Sequence, residues 1–140
     1  MIKVVLDTNI FVSGILNCNG VPGKILKDWQ ENKFILAIST PIIKEIEQVL
    51  NSEKIQTFLK KHNVVENDLK EFFSTLNFNT MITEPSFKVE IIEEDPADNK
   101  FLECALMANA EYIVSGDKHL LKLKNYKNIK IISAIEFINL

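Results

Sequence analysis

The stretch that decides the fold is IKVVLDTN, residues 2–9, in which an apolar run leads straight into a carboxylate. Residues 2–6 are too few for a buried helix and predict a fully buried strand of the kind found in parallel sheets. The polar residues DTN end that strand, and apolar residues resume at helical spacing from 10 to 16. A buried strand that passes directly into a helix is typical of an α/β fold.

The same alternation continues along the chain. Further strands are predicted at 34–38, 87–92, 112–114 and 129–132. Further helices are predicted at 22–31, 41–50, 53–61, 67–76, 96–108 and 118–121, with a terminal turn capped by Ser133 that runs to 138. Right-handed crossovers between such strands predict a parallel sheet inside a three-layer α/β/α sandwich. A length of 140 residues predicts a single domain, 1–140.

Composition limits the class of protein. No apolar run is long enough for a membrane span, and the N-terminus lacks the pattern of a signal peptide. Cys18 and Cys104 have no metal-ligand spacing, and Cys104 falls within a helical apolar pattern that predicts a core position. We therefore expect a cytoplasmic protein without a membrane partner.

Acidic residues follow the predicted strands. Asp7, Asp98 and Asp117 come shortly after apolar runs, and Glu45 lies in the first turns of the helix after residues 34–38. Carboxyl ends of parallel strands share one edge of a sheet, where such folds bind ligands. Two carboxylates about 4 Å apart repel by roughly 4 kcal/mol at an effective dielectric of about 20. A divalent cation removes that repulsion, and all-oxygen ligands suit Mg²⁺ or Mn²⁺.

Two of these assignments compete with neighbouring acids. Asp95-Pro96 resembles the start of a capped helix, so Asp95 is predicted as a cap or a group behind the metal ligands. Asp98 borders the core-facing stripe of the same helix and is favoured as the ligand. Glu45 and Glu47 flank the apolar stripe of their helix equally, and periodicity does not choose between them.

Several other residues are candidates around the acids. Asn9 and Ser115 are predicted to orient the carboxylates from behind, and Lys118 and His119 to touch substrate. Residues 118–130 hold five lysines and no acid, which predicts either a solvated surface or a phosphate-steering rim beside Asp117. The net charge of −3 and the lack of arginine argue against non-specific binding of long duplexes.

The motifs VVLDTNIFVSG, DPADNKFLECALMANAEYIVSGDKHLL and the closing II-x-x-x-EF, together with the Glu45 helix, resemble the PIN-domain nuclease family over nearly the whole chain. The resemblance is closest to the toxins of bacterial toxin–antitoxin pairs. It implies a parallel α/β/α sandwich, a Mg²⁺- or Mn²⁺-dependent ribonuclease activity, frequent homodimers and inhibition by a protein antitoxin.

By position, the resemblance assigns the four family acids to Asp7, Glu45, Asp98 and Asp117, and thereby chooses Glu45 over Glu47. Ser115 matches the small polar residue after the last core strand, and Asp95 matches an extra acid of undefined role. The missing arginines depart from many family members.

The function expected from these residues is metal-dependent hydrolysis of RNA phosphodiester bonds, as the toxin of a toxin–antitoxin pair. Asp7, Glu45, Asp98 and Asp117 would hold one or two metal ions, and no side-chain nucleophile is required. The alternatives are a catalytically silent PIN-like binding or scaffold module and a metal-dependent phosphohydrolase of a small phosphate ester. A receiver-like signalling domain is disfavoured because Ser39-Thr40 end the second predicted strand where such a domain needs an aspartate.

Overall fold

The computed structural model describes residues 1–63, 66–78, 80–92 and 96–140. Its strands are β1 (Lys3–Leu6), β2 (Ile35–Ser39), β3 (Thr80–Thr83), β4 (Tyr112–Val114), β5 (Asn125–Tyr126) and β6 (Ile129–Ile132). Its helices are α1 (Thr8–Leu16), α2 (Val21–Gln30), α3 (Thr40–Leu50), α4 (Glu53–Lys61), α5 (Glu66–Phe78), α6 (Asn99–Ala108), α7 (Lys118–Leu121) and α8 (Ala134–Ile138). A short 3₁₀ turn, Pro96–Asp98, leads into α6.

The six strands form one sheet in the order β3-β2-β1-β4-β6-β5. All neighbouring pairs are parallel except β5 and β6, which form an antiparallel hairpin at one edge. From β1 the chain builds outward to β2 and β3 on one side and then to β4 and β6 on the other. The strand order therefore reverses between β1 and β4, and helices flank the sheet as the α/β prediction required.

The direction of α6 fixes which end of the sheet its first residues occupy. At the C-terminus of α6 the carbonyl of Ala108 accepts a hydrogen bond from Lys3 Nζ at 3.3 Å, and Lys3 begins β1. Over ten residues an α-helix rises about 15 Å, slightly more than the length of these short strands. The N-terminus of α6 accordingly lies toward the carboxyl ends of the strands.

The core consists of the central strands and the helix faces turned to them. Val4, Val5 and Leu6 of β1 are buried, as expected for a central parallel strand. Cys104 on α6 is fully buried, which confirms its predicted core position. Trp29 and Phe72 pack edge to face at 6.2 Å between ring centroids and join α2 to α5.

Local capping explains most helix starts. Ser39 accepts a hydrogen bond from the amide of Ile42, and Pro41 follows within the first turn of α3. Ser133 and Glu136 form a reciprocal capping box at α8. Both starts agree with the sequence analysis, and α4 and α7 have the predicted bounds.

The predicted strand at 87–92 is wrong. The strand beside β2 is Thr80–Thr83, and residues 87–92 have no strand pairing. Val89 and Ile92 of that segment are buried, whereas Phe87 and Ile91 are 41% and 47% exposed. The segment therefore packs through single side chains without joining the backbone ladder.

Two smaller predictions also need correction. The helix predicted from residue 96 begins at Asn99, because Pro96–Asp98 form the 3₁₀ turn. The sheet is not wholly parallel, since the two-residue strand β5 pairs antiparallel with β6. Within the described residues, no helix has the length and apolar character needed to cross a membrane.

Candidate active site

The point where the strand order reverses brings together two sequence-predicted acids. Asp7 directly follows β1, and Asp117 follows β4 after Ser115 and Gly116. The amide of Asp7 donates to the carbonyl of Val114 at 3.0 Å, so the β1–β4 ladder extends to the first acid. Ligand sites of open α/β sheets lie at such reversal points, at the carboxyl ends of the strands.

Asp7 is held rigidly in a buried position. It is only 3% exposed, and its carboxylate caps α1 by accepting a 3.0 Å hydrogen bond from the amide of Ile10. The hydroxyl of Ser115 donates to the other carboxylate oxygen, and the amide of Gly116 also donates to this side chain. Burial raises the pKa of Asp7 above its usual value, with a smaller contribution from the charge of Asp117. The three hydrogen bonds lower the pKa and only partly offset burial.

Ser115 links the two acids. It is fully buried, and its hydroxyl donates to Asp7 while accepting a 2.9 Å hydrogen bond from the amide of Asp117. The carboxylate of Asp117 in turn caps α7 by accepting from the amide of His119 at 2.7 Å. Asp7 and Asp117 are thus brought into one hydrogen-bonded unit through Ser115.

Asp98 lies at the end of the 3₁₀ turn, immediately before α6, and is 9% exposed. The following residue, Asn99, anchors this turn, because its amide side chain exchanges hydrogen bonds with the backbone of Ile92 at 2.9 and 3.2 Å. Since α6 points its N-terminus toward the carboxyl ends of the strands, Asp98 occupies the same end of the sheet as Asp7. Asp95, predicted as a cap or a group behind the ligands, lies outside the described residues.

Glu45 approaches the N-terminus of α6 from α3. Its carboxylate forms an ion pair with the Nζ of Lys100, with side-chain exposures of 30% for Glu45 and 15% for Lys100. Burial lowers the pKa of Lys100, and the nearby charge of Glu103 opposes that shift. Glu47, the competitor that periodicity left open, is exposed to solvent.

The donor set has the chemistry of a hard divalent cation site. All four candidate ligands are carboxylates, and the raised pKa of buried Asp7 reports an electrostatic cost that a cation would remove. The arrangement is incomplete in one respect. Across residues 1–63, 66–78, 80–92 and 96–140, no three His, Cys, Asp or Glu side chains are close enough to share a metal ion. The four residues therefore fit a divalent cation in the chemistry of their donor atoms, and Asp7 and Asp117 are linked through Ser115.

The remaining predicted site residues have mixed positions. Asn9 is exposed in the first turn of α1, and Lys118 is exposed beside Asp117. His119 is half-buried, and its backbone amide donates to the carboxylate of Asp117. The lysines of 118–130 do not all border the acids. Lys130 pairs with Tyr112 at the start of β4, which is the end of the sheet away from Asp117.

Sequence reasoning missed three contributors. Lys100 neutralises Glu45, Asn99 anchors the turn that carries Asp98, and the amide of Gly116 donates to Asp7. A signal existed only for Lys100, which is a cation in the first turn of a helix where the macrodipole disfavours positive charge. The other two depend on contacts that only the folded backbone creates.

Comparison with known proteins agrees with this geometry. Residues 3–119 match the family model described as PIN domain, a family whose members are generally metal-dependent nucleases. An uncharacterized protein of Methanocaldococcus jannaschii is 36% identical over 124 residues, which cover 89% of this chain and 76% of that relative. Residues 3–119, which the family model matches, include β1, the Glu45 helix, α6 and the turn after β4, and thus all four candidate acids. The chain belongs to the PIN domain family.

Proposed function

We propose that this protein is a metal-dependent endoribonuclease that uses Asp7, Glu45, Asp98 and Asp117 to hold Mg²⁺ or Mn²⁺. The observation that carries the proposal is the unit formed by Asp7, Ser115 and Asp117 at the reversal point of the sheet. A buried carboxylate with a raised pKa, placed beside a second carboxylate, is costly for stability and is typical of functional sites.

In the proposed mechanism the chain supplies position and charge. Ser115 and the amides of Ile10 and Gly116 fix the carboxylate of Asp7, so that its oxygens need no reorganisation when ligands bind. The chemistry that a bound divalent cation supplies is a lowered pKa of water and neutralisation of charge on the phosphodiester. Asp117 faces the same edge from the start of α7, and no side-chain nucleophile is invoked.

The proposed substrate is single-stranded or looped RNA. The net charge of −3 gives little general attraction to a duplex, and the exposed Lys118 lies next to Asp117 where it would meet a phosphate. Unpaired RNA exposes its bases and backbone to the protein. Its binding therefore depends less on positive charge than the binding of a long duplex does.

The test is cleavage of mixed single-stranded RNA with Mn²⁺ or Mg²⁺, repeated with EDTA. Asp7→Asn and Asp98→Asn should lose cutting, because each removes one ligand charge while keeping side-chain size. Asp28→Asn is the matched control, since Asp28 of α2 pairs with Lys24 and Lys33, apart from the acids. Metal-dependent cutting that persists in Asp7→Asn would show that these acids are not the catalytic site.

One observation favours the alternative of a catalytically silent binding module. Glu45 is already neutralised by Lys100, and the described residues form no three-ligand group. Under that alternative the wild-type protein leaves RNA intact in Mn²⁺ yet retains it on a filter or gel. The cleavage assay with EDTA and a binding assay on the same RNA separate the two.

A toxin role, a protein antitoxin and a homodimer are the finer parts of this proposal. The edge strand β3 exposes Met81 and Ile82, at 38% and 45%, and an unpaired strand edge of this kind suits a second chain. Induced expression should arrest growth with wild type and not with Asp7→Asn if the protein acts as a toxin. Light scattering after size exclusion measures whether the free protein is a dimer.

A further inference from the structure

Lys100 and Glu45 form an ion pair between two helices that both carry candidate acids. Glu45 lies on α3, and Lys100 is the second residue of α6, two positions after Asp98. The pair spans 55 positions of sequence and lies largely out of solvent, with Lys100 15% and Glu45 30% exposed. It differs from the pairs that Asp28 of α2 forms with Lys24 and Lys33, because those lysines are 56% and 58% exposed.

The position of Lys100 is unfavourable on two physical grounds. The first turn of a helix carries the positive end of the macrodipole, which disfavours a cation. Removing an ammonium from water costs free energy unless an acid compensates it. An exposed lysine outside the first turn of a helix has neither cost. The charge of Lys100 is therefore unfavourable in its local surroundings. Departures of this kind are expected where a residue has a role beyond folding.

We propose that Lys100 is the positioning residue of Glu45 and the internal cation that a divalent metal ion must displace from this carboxylate. The inference rests on the proposed function and deepens it. Without metal, Lys100 neutralises one of the four acids and holds it beside the N-terminus of α6. When metal binds, the same carboxylate turns to the metal ion, and the ammonium loses its partner.

The consequence is competition between two cations for one carboxylate. Replacing Lys100 with an uncharged side chain of similar length removes the competitor and leaves Glu45 partly buried without its partner. Metal affinity should then rise, while the metal-free protein becomes less stable. A purely structural ion pair predicts the loss of stability without the gain in affinity.

The experiment measures Mn²⁺ affinity by calorimetry for wild type, Lys100→Met and Lys100→Arg. Lys100→Met should bind Mn²⁺ about three- to fivefold more tightly, the size expected of one partly exposed ion pair. Lys100→Arg keeps the charge and should bind as wild type does. Lys24→Met is the matched control, because it removes the same charge from the exposed pair with Asp28 on α2.

The outcomes separate the inference from the proposed function. Unchanged or weaker Mn²⁺ binding by Lys100→Met, with wild type binding normally, overturns the inference alone. If wild type takes up no Mn²⁺ or Mg²⁺, the proposed function fails and the inference fails with it. A rise in affinity in Lys24→Met as large as in Lys100→Met reflects net charge and also overturns the inference.

A second measurement uses the wild-type chain and does not depend on the folding of a variant. Protein labelled with ¹³C at lysine is titrated with Mg²⁺, and the Cε signals of Lys100 and Lys24 are followed. The Lys100 signal should move as the metal site fills, because its ammonium loses Glu45, while the Lys24 signal stays in place. A Lys100 signal that is unmoved at saturating Mg²⁺ overturns the proposal.

Discussion

The hydroxyl of Ser115 joins Asp7 to Asp117 by donating to the first and accepting from the backbone amide of the second. The two aspartates are 110 positions apart in sequence and are brought together because β1 and β4 are adjacent parallel strands. The single hydroxyl group of Ser115 thus links the carboxylate of Asp7 to the backbone of Asp117. The arrangement makes the acids a single unit whose parts can be tested separately.

The first prediction concerns Ser115→Ala. The change removes a hydrogen bond to the buried carboxylate of Asp7 and leaves the partly buried amide of Asp117 without its acceptor. The free energy of unfolding should fall by about 2 to 4 kcal/mol. Urea denaturation measures this fall, with Ser13→Ala on the exposed face of α1 as the control. A loss no larger than that of the control would mean that Ser115 does not hold the two acids.

The second prediction is that Asp7→Asn stabilises the metal-free protein at neutral pH. Burial, together with the charge of Asp117, raises the pKa of Asp7 above 3.8 in the folded state. Between 3.8 and the raised value the folded protein binds more protons at this group than the unfolded chain does. Stability therefore falls as pH rises through that window, and the loss persists above it. An asparagine carries no charge and escapes this penalty.

Melting temperatures of wild type and Asp7→Asn between pH 4 and pH 8 test this sign. The advantage of the variant should grow with pH and then level off, whereas Ser13→Ala, an exchange of uncharged side chains, should show no such growth. Saturating Mn²⁺ should reverse the order, because metal that binds the native state stabilises only the protein that retains the ligand. A variant less stable than wild type throughout, without metal, contradicts the assigned cost of burying Asp7.

Much of the fold was predictable because its signals are local. Residues 2–6 are apolar except for Lys3 and are followed by Asp7, which specified β1, whereas α1 begins at Thr8, two residues before its predicted start, with Asp7 as its cap. Ser39 and Pro41 specified the start of α3 in the same way. Such signals depend on residues close together in sequence. They can therefore predict that an acid ends a strand even when the order of strands in the sheet is unknown.

The error at residues 87–92 arises because apolar and polar residues alternate there without backbone pairing. Phe87, Val89 and Ile91 alternate with polar residues as they would in a strand, yet only Val89 of the three is buried, and the ladder partner of β2 is the less distinctive TMIT, Thr80–Thr83. An alternating hydrophobic pattern is compatible with a strand, whereas strand pairing is set by the path of the chain. The Lys100–Glu45 pair was missed for a related reason, since it joins helices 55 positions apart.

A third prediction uses two glycines in opposite surroundings. A Cβ added at Gly23 would lie 2.4 to 2.6 Å from the backbone of Cys18, which cannot move aside as a flexible side chain does. Gly23→Ala should therefore destabilise the protein by about 2 kcal/mol or more, despite the better helix propensity of alanine. At Gly116 an added Cβ has no heavy atom within 4 Å among the described residues, and Gly116→Ala should change stability by less than about 0.5 kcal/mol. Equal losses in thermal unfolding of the two variants would contradict the packing at Cys18.

The last prediction concerns the β5–β6 hairpin. Tyr126 pairs with Ile129, so the loop consists of Lys127 and Asn128, which have φ values of 46° and 69°. Positive φ at both loop residues is the geometry of a type I′ turn, which favours asparagine or glycine over lysine at the first position. Lys127→Asn should raise the free energy of unfolding by about 0.5 to 1 kcal/mol, because asparagine tolerates left-handed backbone better than lysine does. Lys130→Asn, in the adjoining strand, removes the same charge where backbone is extended and should give no gain. A stabilisation shared by both variants would trace to charge, and the turn geometry would then not be its cause.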